Sequence, residues 1–184
     1  EVVTTSGLTS ANAARKFGFE RTSSNFRSVL EADDIHAVVV ATRHSTHAHI
    51  TAEALCSGKA VFVEKPLAID LDGFNLVRQA IIESGNHRLL VGFNRRFSPM
   101  IGKIRQFFIP MLNPLMMFYR VHAGQMDNSS WYRDPLEGSR FVGEAGHFLD
   151  VFSYLTNSRP VSVYAKSLRP LYTTSDDLDN ISVM

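Results

Sequence analysis

The stretch Ala60-Val61-Phe62-Val63-Glu64-Lys65-Pro66 decides the fold. Its apolar run has the makings of a strand in a parallel sheet, and Glu64-Lys65-Pro66 puts an amine where that strand runs out. Ligands of open α/β sheets gather at that edge. A lysine there can carry a proton, pair with an anion or form an imine, and the proline restricts the backbone that presents it. Taken alone, the tripeptide reads better as a surface lysine beside a turn proline. The rest of the chain decides between the two.

Outward from this strand, short apolar runs alternate with amphipathic stretches over the first hundred residues, the pattern of a parallel α/β sheet with covering helices. Val2-Val3-Thr4-Thr5 predicts a strand, 9–17 a helix ended by Gly18, and 24–32 another helix. Ile35 to Ala41, with Val38-Val39-Val40 at its centre, is expected to be a strand buried on both faces. Thr42-Arg43-His44 follows its carboxyl end. Ser45 is the expected cap of a helix running through Cys56 and closed by Gly58. Asp70 caps the next helix, which stops near Gly85, and 89–93 is one more strand. Asn94-Arg95-Arg96-Phe97-Ser98-Pro99 breaks the alternation and sets a boundary between residues 1–96 and 97–184.

The second region reads as α+β. A helix is expected over 99–108, a partly alternating strand over 115–122, a polar loop holding Trp131-Tyr132-Arg133-Asp134-Pro135, and a helix over 143–155 with Glu144, His147 and Asp150. Further strands are expected at 161–168 and 180–184.

Composition narrows the class. The chain has 184 residues, 45% of them apolar, and a formal net charge of +1, which gives no broad basic field for nucleic acid. Cys56 is the single cysteine, so no intramolecular disulfide forms. No signal peptide or long apolar span is visible, which points to the cytoplasm and away from a membrane. A complete dinucleotide-binding fold opens on a Gly-x-Gly-x-x-Gly turn between strand and helix. That spacing does not occur here. The first βα unit is therefore expected to be missing. Since its strand is central in the 3-2-1-4-5-6 order, two half-sheets with a gap, and poor folding of these residues alone, are expected.

Four segments together resemble the Gfo/Idh/MocA oxidoreductases: 41–47 (Ala-Thr-Arg-His-Ser-Thr-His), 58–66 (Gly-Lys-Ala-Val-Phe-Val-Glu-Lys-Pro), 91–97 (Val-Gly-Phe-Asn-Arg-Arg-Phe) and 143–150 (Gly-Glu-Ala-Gly-His-Phe-Leu-Asp). They stand in that family's order and at its spacing. Within it, 131–150 is most similar to members fused to, or grouped with, zinc-dependent dehydrogenase-like domains. The resemblance implies a partial Rossmann domain with a doubly wound parallel sheet over 1–96. It further implies a C-terminal α/β domain over 97–184 with an open, largely antiparallel sheet that serves oligomerisation. The implied activity is NAD- or NADP-dependent oxidation or reduction of a sugar, nucleotide-sugar, cyclitol or related polyol. The alternative is a catalytically silent NAD(P)-sensing or partner-binding member.

The resemblance also assigns roles. Lys65 is expected beside the nicotinamide and the substrate oxygen, with His147 as the acid/base that exchanges the hydroxyl proton. Thr42, His44, His47, Glu64, Lys65, Pro66, Asn94 and Arg95 are the expected cofactor contacts. Arg96, Trp131, Tyr132, Arg133 and Glu144 are expected, with Lys65 and His147, to face the substrate, Trp131 and Tyr132 as an aromatic platform for a sugar. Many members carry an aspartate four residues before this histidine, where this sequence has Gly143. Glu144, about 100° further round the helix, is expected to cap its end or support the site. Asp150 shares the face of His147 and is a candidate to orient its ring. His44, His47 and His49 invite a metal reading, discounted because no cysteine or acid joins them at zinc-like spacing. An acid at the end of the second strand usually grips the ribose, but Thr4, Thr5 and Ser6 stand there, which leans towards NADP or a relaxed preference.

Overall fold

The computed structural model describes residues 1–108, 115–127, 129–168 and 180–184. In chain order its elements are β1 (Val2–Val3), α1 (Gly7–Phe17), β2 (Thr22–Ser23), α2 (Arg27–Glu31), β3 (Ala37–Val40), α3 (His44–Cys56), β4 (Ala60–Val63), α4 (Leu71–Ser84), β5 (Leu89–Val91), α5 (Pro99–Phe108), α6 (Arg140–Thr156), β6 (Ala165–Ser167) and β7 (Ile181–Val183). Single 3₁₀ turns lie at Asn94–Phe97, Trp131–Arg133 and Pro135–Glu137.

Local chemistry fixes the helix ends. Ser6 Oγ accepts from Thr9 N to start α1, and Gly18, at φ +76°, stops it in the left-handed conformation. Asp70 starts α4 in the same way by accepting from Gly73 N. The helix predicted over 24–32 is shorter, Arg27–Glu31, because Ser23 and Asn25 turn the chain before it with their own side chains.

The architecture is α/β. β3, β4 and β5 form a parallel sheet in that order, with Val39 opposite Phe62 and Val61 opposite Leu89. β1 and β2 pair in parallel as a separate two-stranded sheet, and β6 and β7 pair antiparallel as a third. The core lies where α3 and α4 cover the three-stranded sheet. It holds Val40, Leu55, Val61, Val63 and Val77, with Ala48, Ala52, Ala54 and Ala80 allowing close approach. Each fully buried aliphatic side chain of this kind contributes about 2 kcal/mol of transfer free energy.

Three expectations change. β3 is not buried on both faces: Val39 is 70% exposed, as is much of Leu90 on the same side of β5. The cause is that α3 and α4 pack on one face, while among the described residues the other face forms a shallow groove of about 390 Å³ lined in part by Val39, Phe62 and Leu90. Residues 115–122 are not a strand, since an alternating sequence needs a partner ladder, and none is present among the described residues. The C-terminal strands are each three residues long rather than spanning 161–168 and 180–184.

Candidate active site

The carboxyl ends of β3, β4 and β5 carry Thr42, Lys65 and the Asn94–Phe97 turn to one edge. α6 arrives at that edge from the second region. It can come close because two glycines lie on its near side: a Cβ on Gly143 would stand 2.8 Å from Tyr132 Cε1 and 2.9 Å from His44 Cε1, and one on Gly146 would stand 2.8 Å from Phe93 Cε1. The helix starts at Ser139, whose hydroxyl accepts from Val142 N, so Glu144 is not its cap.

Glu144 instead meets Lys65. Lys65 Nζ donates to Glu144 Oε1 at 2.7 Å and to the Gly143 carbonyl at 3.0 Å, and Tyr132 Oη lies at 3.4 Å. Tyr132 Oη donates in turn to Glu144 Oε1 at 3.0 Å. Gly143 and Glu144 belong to the turn of α6 that leads into His147, so the amine of one region is tied to the backbone that carries the imidazole of the other. The Lys65-Pro66 peptide is cis.

Charge follows from this packing. Burial works against the Lys65 ammonium, but the Glu144 carboxylate more than offsets it and leaves Lys65 above the ordinary lysine value. Burial likewise opposes the Glu144 anion, and Lys65 with Tyr132 outweighs it, so Glu144 lies below the usual carboxylate range. Burial and the bond to Glu144 push the Tyr132 phenol up. His147 goes the other way: burial, then the positive charges of Lys65 and Arg95, lower it. Its ring is 5% exposed, lies edge-on to Phe93, and has Nδ1 buried without a partner among the described residues. Asp150 does not orient this ring, because both its oxygens are taken by the Arg96 guanidinium.

His44 and His47 are buried at the start of α3. His47 sits between two carbonyls, Nδ1 at 2.8 Å from Pro66 O and Nε2 at 3.2 Å from Thr42 O, and so links the ends of β3 and β4. His44 is lowered by burial and by nearby His47 and Lys65, against the Glu137 carbonyl at its Nδ1. His49 points elsewhere and pairs with Glu53. Thr42 is exposed and bonded to Thr46 Oγ1, and Glu64 Oε2 accepts from Lys65 N. Of the arginines, Arg96 is committed to Asp150, Arg95 lies over the Phe148 ring, and Arg133 holds the Met126 and Asp127 carbonyls of its own loop. Trp131 stacks on Tyr132 at 4.2 Å with the Arg43 guanidinium over its ring. Ser6, in the neighbourhood expected to read the ribose, is used as the α1 cap.

Sequence reasoning missed Arg43, Ser45 and Glu137. Ser45 was expected to cap α3, yet its hydroxyl and amide both bind the Glu137 carboxylate, 92 residues away in sequence. No local pattern signals a pairing at that separation.

The edge fits the nicotinamide half of a dinucleotide. An unpartnered buried imidazole nitrogen, a charged amine and the exposed Thr42 hydroxyl stand at the carboxyl ends of parallel strands. A glycine-rich pyrophosphate turn is absent from the sequence.

A family model described as an oxidoreductase family with an NAD-binding Rossmann fold matches residues 1–93. Levoglucosan dehydrogenase of Pseudarthrobacter phenanthrenivorans is 31% identical over 153 residues, 79% of this chain and 39% of that protein. The scyllo-inositol 2-dehydrogenase (NAD(+)) of Bacillus subtilis is 29% identical over 163 residues, 82% of this chain and 44% of that protein. Among solved structures, apo levoglucosan dehydrogenase superposes with a TM-score of 0.76 at 24% identity, over 92% of this chain and 46% of that one. A probable dehydrogenase from Thermotoga maritima gives 0.79 at 19% identity, over 98% and 56%. These two structural likenesses are likenesses of fold. The chain spans about two fifths of the length of these two curated relatives. With the family match covering half its residues and the Lys65 edge built as described, the chain belongs to the Gfo/Idh/MocA family of NAD-binding Rossmann-fold oxidoreductases.

Proposed function

We propose that the protein is an NAD(P)-dependent dehydrogenase or reductase acting on a CH–OH group of a sugar, cyclitol or related polyol. The observation that carries this reading is the tie between Lys65 and the Gly143–Glu144 turn, which brings an amine and an imidazole from two regions to one strand edge. The named activities of the relatives, levoglucosan and inositol dehydrogenation, support the substrate class. In this reading residues 1–96 hold the cofactor, residues 97–184 supply the substrate side, and the C-terminal sheet is a route to self-association.

The nicotinamide, when bound, accepts or gives the hydride. The opposite shifts of Lys65 and His147 divide the remaining work. Lys65, raised, stays protonated through the neutral range and donates to the substrate oxygen, stabilising negative charge on it. His147, lowered, is neutral at pH 7 and takes the hydroxyl proton during oxidation, returning it during reduction. Thr42, Glu64, Pro66, Asn94 and Arg95 line the cofactor side, with the buried His44 and His47 behind them. Trp131 and Tyr132, stacked on each other with Arg43 over the Trp131 ring, bound the substrate side without offering a free platform for a sugar.

The test is hydride transfer by the full-length protein with NAD or NADP and a panel of polyols, followed at the absorbance of the reduced cofactor. Lys65→Ala and His147→Ala are each expected to lower kcat/KM about 100-fold or more. One observation favours the sensor reading instead: the Lys65 ammonium has three hydrogens, and Glu144, Gly143 and Tyr132 supply three acceptors. Cofactor binding without turnover on any polyol would decide for it.

A further inference from the structure

Arg43 is the residue before α3, yet its side chain gives the helix no capping bond. The amino end of α3 is closed instead from the second region. Glu137 Oε2 accepts from Ser45 N at 3.1 Å, and Oε1 accepts from Ser45 Oγ at 3.1 Å. The Glu137 carbonyl lies 3.3 Å from His44 Nδ1. Glu137 is 8% exposed, so these hydrogen bonds and the amino end of the helix take the place of the water its side chain gives up.

The neighbours of Glu137 are fixed with it. Gly138 turns the chain at φ +77°, with its Cα hydrogens facing Ile69, and Ser139 then starts α6. Upstream, Trp131 lies edge-on to the His44 ring at 4.7 Å and stacks on Tyr132, itself edge-on to His44 at 5.3 Å. The far end of this unit is the Tyr132 hydroxyl, bonded to Glu144 and in reach of Lys65. One carboxylate thus anchors two successive 3₁₀ turns on the first region, and their other end delivers a phenol to the reactive amine.

We propose that Glu137 is a positioning residue, which docks the Trp131–Glu137 turns onto the amino end of α3 and thereby sets the Tyr132 phenol against Lys65 and Glu144. The significance for catalysis rests on the dehydrogenase reading above; the docking itself does not. Removing the charge of Glu137 loosens the turns, uncovers Trp131 and withdraws Tyr132 from Lys65, while Glu144 and Gly143 stay in place on α6.

The chain provides its own probe, since Trp131 is the only tryptophan. Glu137→Gln, Ser45→Ala and the control Glu20→Gln are compared with the parent by Trp131 emission, acrylamide quenching and far-UV circular dichroism. The rate of Lys65 acylation by an activated ester is read in parallel by mass spectrometry. In Glu137→Gln the emission shifts to the red, quenching rises, and Lys65 is acylated about tenfold faster, the change in docked population expected on losing a charged hydrogen bond. Ser45→Ala, which removes one of the two carboxylate partners and leaves the backbone intact, moves all three readouts the same way by less. It carries the test if Glu137→Gln loses its helical signal. Unchanged emission, quenching and Lys65 labelling in a folded variant would overturn the proposal. Failure to turn over any polyol, with the Trp131 response as expected, would count against the dehydrogenase reading and leave the docking role standing.

Discussion

Burial alone would lower both Lys65 and His147, because each carries its charge when protonated. Glu144 reverses the outcome at Lys65 and not at His147, where the Lys65 charge adds to the burial effect. Glu144→Gln is therefore expected to bring the Lys65 value down and to shift the alkaline limb of the kcat/KM profile to lower pH. A limb that stays in place would separate it from Lys65. The histidines also make stability depend on pH. His44 and His147 have folded values below the unfolded one of about 6.5, so the unfolded chain binds more protons as the pH falls through that value. Their contribution is fully present above about pH 6.5 and is lost as the pH drops towards the lowered folded values. The urea midpoint should fall on acidification from neutrality into this window, and His147→Asn should flatten the slope. At this scale the sequence placed Lys65 at a strand end and His147 on a helix, which is where they stand. It was silent on Glu137, whose partner Ser45 is distant, and on the pairing of Arg96 with Asp150, because nothing in either segment says that the two meet.

Two helical glycines test how the elements are packed. Gly102, inside α5, has open space where a Cβ would go, so Gly102→Ala should stabilise by about 1 kcal/mol through helix propensity alone. Gly143 has the same propensity to gain, but its Cβ would run into the Tyr132 and His44 rings, both held by further contacts. Gly143→Ala should therefore destabilise, by about 1–3 kcal/mol for overpacking less the helix gain. Denaturant midpoints of the two variants should move in opposite directions. Movement in the same direction would mean that α6 can slide away from the strand edge. The helix ends were readable where a cap and a left-handed glycine bracket the element, as Asp70 with Gly85 do, and at Gly18 of α1; the start of α1 was expected at 9 and lies at Gly7, because Ser6 serves as its cap. They were misread at α3, because Ser45 does resemble a cap and only the tertiary contact redirects it. The strand predicted over 115–122 failed for a related reason: alternation states a preference for one face, and a strand needs a neighbour as well.

Over the whole molecule, 13325 Å² of surface is exposed, against about 8,900 Å² for a compact monomer of 20.6 kDa. Part of the excess is the uncovered face of the three-stranded sheet, with Val39, Phe62 and Leu90 on one groove. Apolar surface of this kind drives association of copies. Light scattering should accordingly rise with concentration for these 184 residues, and Val39→Lys, which changes no buried contact, should suppress it. Equal scattering by the variant would point to another surface. The division into half-sheets was legible because the sequence carries strand after strand and no glycine-rich turn. The one-sided burial was not, since a run of valines looks alike whether one face or both are covered.

The order β3-β4-β5 also leaves β3 at a margin, with its outer row of amide and carbonyl groups unmatched by any strand among the described residues. A margin of that length, apolar in sequence and free of proline, is a template. A short synthetic peptide of β-branched residues, supplied in trans, should be able to lie along it in parallel and complement the sheet from outside.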